Sequence, residues 1–165
     1  NRFVCPIEPS IVGGGQERGL RSGTLNVPSI VGLAAAGEVA LHDHAEEVVR
    51  VGGLRDAFEQ RIVALPKTSI NAAGARRNYN ISNVLFDGVN VSHMMYDMPA
   101  VACSKGSACS NSKSAASSVL LAMGFSEDQA NSSLRFSFGR TSTNADIDRL
   151  VAEISRVHPR YFTSD

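Results

Sequence analysis

Cys109 lies in a run of small and polar residues, from Ser104 to Ser110, instead of among apolar neighbours. Glycine and serine favour a flexible loop, so we expect an exposed thiol. Lys105 lies close in the sequence and favours the thiolate, which is the form of cysteine that attacks electrophiles and carries sulfur. The segment therefore predicts a nucleophilic cysteine. A loop cysteine without a chemical task is the alternative, and this segment alone does not exclude it.

Arg135 is the second candidate for chemistry. Apolar and polar residues alternate strictly from Ser133 to Phe138, which predicts a strand with one buried face. Arg135 falls on the polar face between two serines, where its guanidinium could bind a carboxylate through two parallel hydrogen bonds. An ordinary surface arginine is the alternative. Arg140 follows a glycine at the end of this strand and is the weaker candidate.

A glycine-rich segment covers residues 13–24 and contains five glycines, together with arginines and hydroxyl side chains. Glycines let backbone N–H groups approach an anion, and Ser22 and Thr24 add hydroxyl donors, so this composition favours phosphate binding. The spacing matches neither a P-loop nor a dinucleotide-binding fingerprint. A simple connecting loop is the alternative.

Four segments occur in one order along the chain, at 13–24, 80–83, 106–109 and 132–140. Taken together they resemble the C-terminal part of the cysteine desulfurases of the nitrogen-fixation and iron–sulfur-cluster type. These enzymes belong to the class V aminotransferases, which have the pyridoxal phosphate (PLP) fold type I. The resemblance runs from near Gly13 to near Leu150.

The resemblance implies a role for each candidate residue. Cys109 would attack the sulfur of an L-cysteine substrate bound to PLP, keep that sulfur as a persulfide, and release L-alanine. Arg135 would hold the substrate carboxylate. Thr24, together with Arg21, would contact the PLP phosphate of the neighbouring subunit in a homodimer. The persulfide would then pass to a sulfur-acceptor or iron–sulfur scaffold protein, for the synthesis of iron–sulfur clusters or thionucleosides.

The family binds PLP as a Schiff base on a lysine in a Ser/Gly-His-Lys setting, N-terminal to the glycine-rich loop. The lysines of this chain are Lys67, Lys105 and Lys113, and none follows a histidine. We therefore expect the chain to be a piece of a longer transferase and to be inactive alone. Two alternatives stay open: a naturally short sulfur-carrier or docking module, and a relative of the selenocysteine lyases.

Composition limits the possible partners and compartments. Sixteen basic and sixteen acidic residues give a net charge of zero, which offers no electrostatic reason for binding nucleic acid or an anionic membrane. No apolar run is long enough for a spanning helix and no signal pattern opens the sequence, so we expect a cytoplasmic location. Three cysteines without a Cys-x-x-Cys pair argue against a disulfide framework or a zinc site. We expect no metal.

The expected fold is α/β: a small C-terminal domain of a PLP fold-type-I enzyme, with helices on one face of a mainly antiparallel sheet and a long linking helix. That helix is predicted from Pro28 to Leu65, with a bend or break at Gly52–Gly53. Residues 1–27 would be the residual end of the large PLP-binding domain, and residues 28–165 the linking helix and small domain. We expect further strands at 81–86 and 100–103, and helices at 91–96, at 115–123 and after the capping residue Thr143.

Overall fold

The computed structural model describes residues 7–105 and 116–161. Cys109 lies outside the described residues, as do Cys5 and Lys113. The helices are α1 Val27–Ile62, α2 Val91–Tyr96, α3 Ser118–Ala122, α4 Glu127–Asn131 and α5 Asn144–Val157. The strands are β1 Thr68–Ile70, β2 Ile81–Phe86, β3 Ser104–Lys105 and β4 Ser133–Ser137. Single 3₁₀ turns occupy Glu17–Gly19 and His158–Tyr161.

The chain divides into two compact units, residues 1–44 and residues 45–165. The first unit contains the glycine-rich segment and the first half of α1. The second contains the second half of α1 and the four strands. This division falls inside α1, whereas the boundary predicted from the sequence lies between residues 27 and 28. The assignment of residues 1–27 to a larger cofactor domain stays a prediction.

The four strands form one antiparallel sheet in the order β1-β2-β4-β3. The α/β class, the antiparallel sheet and the long helix are confirmed. The alternating segment around Arg135 forms β4 at the centre of the sheet, between β2 and β3. Strand β1 was not predicted, because three residues are too few for an alternating pattern to be recognised.

The core of the second unit lies on one face of this sheet. Leu134 and Phe136 of β4 are almost fully buried there, as are Val84 and Phe86 of β2. Helices α1 and α5 contribute the facing apolar side chains, among them Phe58, Ile62, Ile147, Val151 and Ile154. The Phe58 ring lies 5.0 Å from that of Phe136, centroid to centroid, within the range of favourable aromatic pairs. This packing leaves the opposite face of β4 available for polar side chains.

Of the bend or break expected at Gly52–Gly53, the break is wrong, since α1 continues from Val27 to Ile62. A bend there stays a prediction. Each glycine inside a helix costs about 1 kcal/mol relative to alanine. Val51, Leu54 and Phe58 flank the pair and are all buried in the core. Burying an apolar side chain contributes about 1.5–3 kcal/mol, so the packing of this stretch outweighs the two glycines.

The strand expected at 100–103 is also wrong, because the paired residues are Ser104 and Lys105. Val101 closes a turn by donating its N–H to the Met98 carbonyl at 2.9 Å. Val101 and Cys103 then pack against the core without joining the ladder. Periodicity cannot separate a short buried strand from such a segment.

Helix boundaries follow local capping. Helix α3 begins later than predicted, at Ser118, because the Ser117 hydroxyl caps it by accepting from the N–H of Leu120. Gly124, with a φ of 92°, follows its end. The predicted cap at Thr143 is confirmed and forms a complete capping box, and Ser126 forms a second one at the start of α4.

Candidate functional site

Arg135 lies in the middle of β4, on the face of the sheet opposite the core. Its neighbours Leu134 and Phe136 are buried on the core side, while Arg135 itself is exposed. A central strand held by ladders on both sides is a rigid support. Strand and side-chain orientation are therefore as predicted, and binding of a carboxylate stays a prediction.

Three further polar residues stand beside Arg135 and form a row across the sheet. Asn83 of β2 and Ser104 of β3 are the residues directly opposite Arg135 on the two neighbouring strands. Asn71 directly follows β1, and its N–H donates to the Asn83 carbonyl at 2.9 Å. We call Asn71, Asn83, Arg135 and Ser104 the polar row.

Sequence reasoning did not assign a role to Asn71 or Asn83. Asn83 closes the segment 80–83 that carries part of the family resemblance, and this was the available signal. Only the strand register reveals that it faces Arg135. Asn71 follows a strand that was itself not predicted.

Side-chain hydrogen bonds connect the polar row to the buried part of the sheet. Asn71, with 4% of its surface exposed, donates from Nδ2 to the Oδ1 of Asn83 at 2.5 Å and to the Oγ of Ser133 at 3.0 Å. Ser133 in turn donates its hydroxyl to the Gln129 carbonyl at 2.8 Å. The side chain of Asn83 is thus held through its amide oxygen, Oδ1.

A cleft of about 360 Å³ opens beside the polar row. Asn71, Asn83 and Arg135 line it together with Arg77 and side chains from α3. Within residues 7–105 and 116–161, the guanidinium of Arg135 has no acidic partner. The cleft therefore contains a positive charge on a rigid strand that is available to an anion.

Arg77, the other guanidinium of the cleft, is already neutralised. It donates to both carboxylate oxygens of Glu59, at 2.5 and 2.8 Å. Burial by itself would raise the pKa of Glu59, but the hydrogen bonds from Arg77 and the nearby guanidinium charges hold that pKa below its usual value. Arg77 is consequently a structural cation, and Arg135 is the better candidate for binding a carboxylate.

The glycine-rich segment of the first unit is folded around Ser22. Ser22 is buried, and its hydroxyl accepts from the N–H of Gly15 at 3.3 Å. It therefore supports the loop, whereas the sequence analysis expected it to donate to an anion. Gly15 and Gly23 have φ values of 76° and 103°, which side chains rarely tolerate. Glycine is thus required for this loop conformation.

Arg21 and Thr24, the residues expected to bind phosphate, are both exposed at the end of this loop. Arg21 donates from one guanidinium nitrogen to the Ser22 carbonyl at 3.0 Å, and in the described part of the chain its remaining N–H groups have no partner. A guanidinium and a hydroxyl on a glycine-rich turn form a donor set that fits a phosphate. That role stays a prediction.

Lys105 follows Ser104 on β3 and therefore lies on the face opposite Arg135. Its Nζ donates to the Ser92 hydroxyl of α2 at 3.0 Å. This contact holds the side chain of Lys105 against α2. Lys105 is the last described residue before the Cys109 segment. An effect of Lys105 on the Cys109 thiol stays a prediction.

Cys103 is half-buried against the core, and burial raises the pKa of its thiol above the usual value. A raised pKa lowers the fraction of thiolate at neutral pH. This environment is that of a packing residue and does not favour a sulfur relay.

The described ranges, 7–105 and 116–161, also bear on metal binding and on membrane insertion. No three side chains of His, Cys, Asp or Glu come together there as possible metal ligands. No helix in the same ranges is both long and apolar enough to cross a bilayer.

The comparisons with known proteins agree with this fold. The family model of the class-V aminotransferases matches residues 8–150. The cysteine desulfurase IscS of Shewanella frigidimarina is 40% identical over 149 residues, which cover 90% of this chain and 37% of that protein. IscS 1 of Archaeoglobus fulgidus is 36% identical over 156 residues, or 93% of this chain and 41% of that protein.

Solved structures give the same result. The crystal structure of a NifS-like protein from Rickettsia africae superimposes with a TM-score of 0.81 and 26% identity, over 94% of this chain and 41% of that one. The chain therefore belongs to the class-V aminotransferase family, and within it the chain is similar to cysteine desulfurases of the IscS and NifS type. It spans about two fifths of the length of these relatives.

Proposed function

We propose that this chain forms the C-terminal part of a PLP-dependent cysteine desulfurase that converts L-cysteine to L-alanine and passes the sulfur from Cys109 to an acceptor. The observation that carries the proposal is Arg135, a guanidinium without an acidic partner in the described part of the chain, on a rigid strand beside a cleft. Membership of the class-V aminotransferases and similarity to the IscS desulfurases support it.

Arg135 binds the substrate carboxylate in this proposal. The planar guanidinium can donate two parallel hydrogen bonds to the two carboxylate oxygens, which fixes the orientation of an amino acid as well as its position. The ladders on both sides of β4 hold the arginine backbone in place. Arg77 does not compete for the substrate, because Glu59 already occupies it.

Arg21 and Thr24 hold the phosphate of PLP, with the cofactor belonging to the neighbouring subunit of a homodimer. The exposed guanidinium and hydroxyl suit a phosphate dianion. PLP supplies the electron sink that allows the carbon–sulfur bond of cysteine to break. The residue that forms a Schiff base with PLP is expected in a segment N-terminal to the glycine-rich loop.

Cys109 accepts the sulfur. Its thiolate attacks the substrate sulfur, so that a sulfur–sulfur bond forms while the carbon–sulfur bond breaks. The electron pair stays with the carbon fragment, which gains a proton and leaves as alanine. The match of residues 106–109 to the family motif supports this role. The support comes from the sequence, since these residues lie outside the described ranges.

The partners in this proposal are L-cysteine, a second copy of the protein, and a sulfur-acceptor or iron–sulfur scaffold protein in the cytoplasm. Helix α1 supports an association of this kind, because several of its apolar side chains in the first unit are exposed: Val27, Ile30, Val31, Leu33, Val39 and Leu41. Exposed apolar patches of this kind commonly mark protein–protein contacts.

The test uses the PLP-loaded desulfurase that contains this chain. We expect Arg135→Gln to raise the KM for L-cysteine at least tenfold, since a charged hydrogen-bonded pair contributes about 1.5–3 kcal/mol. Arg149→Gln, at an exposed arginine of α5, is the matched control and should leave KM unchanged. Mass spectrometry should find a persulfide on Cys109 after one turnover. An unchanged KM for the Arg135 variant, or a persulfide elsewhere, would contradict the proposal.

A further inference from the structure

We infer that Asn83 is a second hydrogen-bond donor to the substrate carboxylate, and that Asn71 is the positioning residue that turns its amide group toward the substrate. This inference rests on the proposed function, because it assumes that a carboxylate lies against Arg135. It adds a specificity-determining residue to a site that otherwise depends on one arginine.

The strand register places Asn83 beside Arg135. The two residues are direct partners of the antiparallel β2–β4 ladder, so their side chains rise from the same face of the sheet. Directly opposed residues have Cβ atoms about 4.5–5.5 Å apart, which matches the span over which two donors can share one carboxylate. Both residues line the same 360 Å³ cleft.

A chain of hydrogen bonds determines the orientation of the side-chain amides of Asn71 and Asn83. The Gln129 carbonyl can only accept, so the Ser133 hydroxyl, 2.8 Å away, must donate to it. The Ser133 oxygen is then an acceptor for Asn71, whose Nδ2 lies at 3.0 Å. The same Nδ2 must donate its second hydrogen to the Oδ1 of Asn83 at 2.5 Å.

Among the residues at 7–105 and 116–161, the NH₂ group of Asn83 has no hydrogen-bond partner, so this chain of bonds leaves it uncommitted. Its carbonyl oxygen is held by Asn71, which is itself nine-tenths buried or more and cannot turn away without losing two hydrogen bonds. Asn83 is only partly buried and reaches the cleft. A carboxylate has lone pairs for about four hydrogen bonds, so it can accept from Asn83 and from Arg135 at once.

The experiment uses two competitive inhibitors of the PLP-loaded desulfurase: L-alanine, which carries a carboxylate, and L-alaninamide, which does not. Asn83→Leu removes both the carbonyl oxygen and the NH₂ of the side-chain amide at similar volume. We expect it to raise the Ki of L-alanine about tenfold, the lower end of the range for a hydrogen bond to a charged group. The Ki of L-alaninamide should rise by less, because its neutral amide oxygen accepts a weaker hydrogen bond than a carboxylate does. Asn83→Gln, which keeps an NH₂ donor, should recover part of the affinity for L-alanine.

The variants separate the possible failures. Equal weakening of both inhibitors by Asn83→Leu would assign Asn83 a structural role and overturn the inference, as would an unchanged Ki for L-alanine. Arg135→Gln is run in parallel, and an unchanged Ki for L-alanine in that variant would instead contradict the proposed function. If Asn83→Leu does not fold, Asn83→Asp decides: a carboxylate at this position should repel L-alanine but not L-alaninamide, and an equal effect on both overturns the inference.

Discussion

Glu59 and Arg77 form a two-point ion pair, with N–O distances of 2.5 and 2.8 Å, that joins the last turn of α1 to the loop between β1 and β2. Both side chains are largely shielded from water, with 12% and 19% of their surfaces exposed. The pair stands at the edge of the cleft, because Arg77 is one of its lining residues. It keeps α1 and the sheet in the arrangement that supports the polar row.

Glu59→Gln should lower the free energy of unfolding by about 1–3 kcal/mol, because it leaves a shielded guanidinium without its partner. Urea denaturation of the chain measures this change. The control is Asp148→Asn, which removes an exposed pair with Arg61 whose side chains are 43% and 68% exposed. Exposed pairs contribute about 0–1 kcal/mol, so the control should unfold close to the wild type. Equal effects of the two changes would contradict the shielding argument.

Acid should weaken the start of α5. Asp146 belongs to its capping box, and the pKa of this carboxyl is lowered from 3.8 to about 2 by hydrogen bonds, first from the Thr143 side chain and then from Arg149. A lowered pKa stabilises the folded state above pH 3.8, and this contribution is lost as the pH falls toward 2. Unfolding followed by circular dichroism at stepped pH should show this loss. Asp146→Asn should flatten that part of the curve, and a curve unchanged by the substitution would contradict the assignment.

Cys103 should react slowly with alkylating agents. Burial raises the pKa of its thiol, so the thiolate fraction at pH 8 is smaller than in a free cysteine. In a variant with Cys5→Ser and Cys109→Ser, iodoacetamide should label Cys103 more slowly than free cysteine at pH 8. The same variant unfolded in urea should react at the free rate. A native rate equal to the unfolded one would contradict the shielding of this thiol and make Cys103 a candidate sulfur relay.

Lys105 should increase the reactivity of Cys109 near neutral pH if its ammonium stabilises the thiolate. We expect Lys105→Ala to slow the alkylation of Cys109, measured by mass spectrometry in the PLP-loaded desulfurase. Ser92→Ala removes only the hydroxyl that holds the lysine and should have a smaller effect. An unchanged rate for the alanine variant of Lys105 would remove this residue from the chemistry of Cys109.

The sequence predicted β4, β2 and α5 well, because their apolar residues recur with the period of a strand or a helix. It failed where the pattern was short or where packing overrode local preference. Strand β1 has three residues, and α1 passes through Gly52–Gly53 because its neighbours are buried. Ser22 shows a third cause: its hydroxyl looked available for an anion, yet it supports its own loop.

For the candidate site, the sequence by itself determined which groups are candidates: the Cys109 thiol, the Arg135 guanidinium on the polar side of a strand, and the donors Arg21 and Thr24. Side-chain chemistry and period-two alternation are local properties, so they can be recognised from the sequence alone. Only the tertiary structure decided that Asn83 stands opposite Arg135, that Asn71 orients it, and that Glu59 neutralises Arg77. Strand register and long-range contacts depend on how distant segments pack, and no local pattern specifies them.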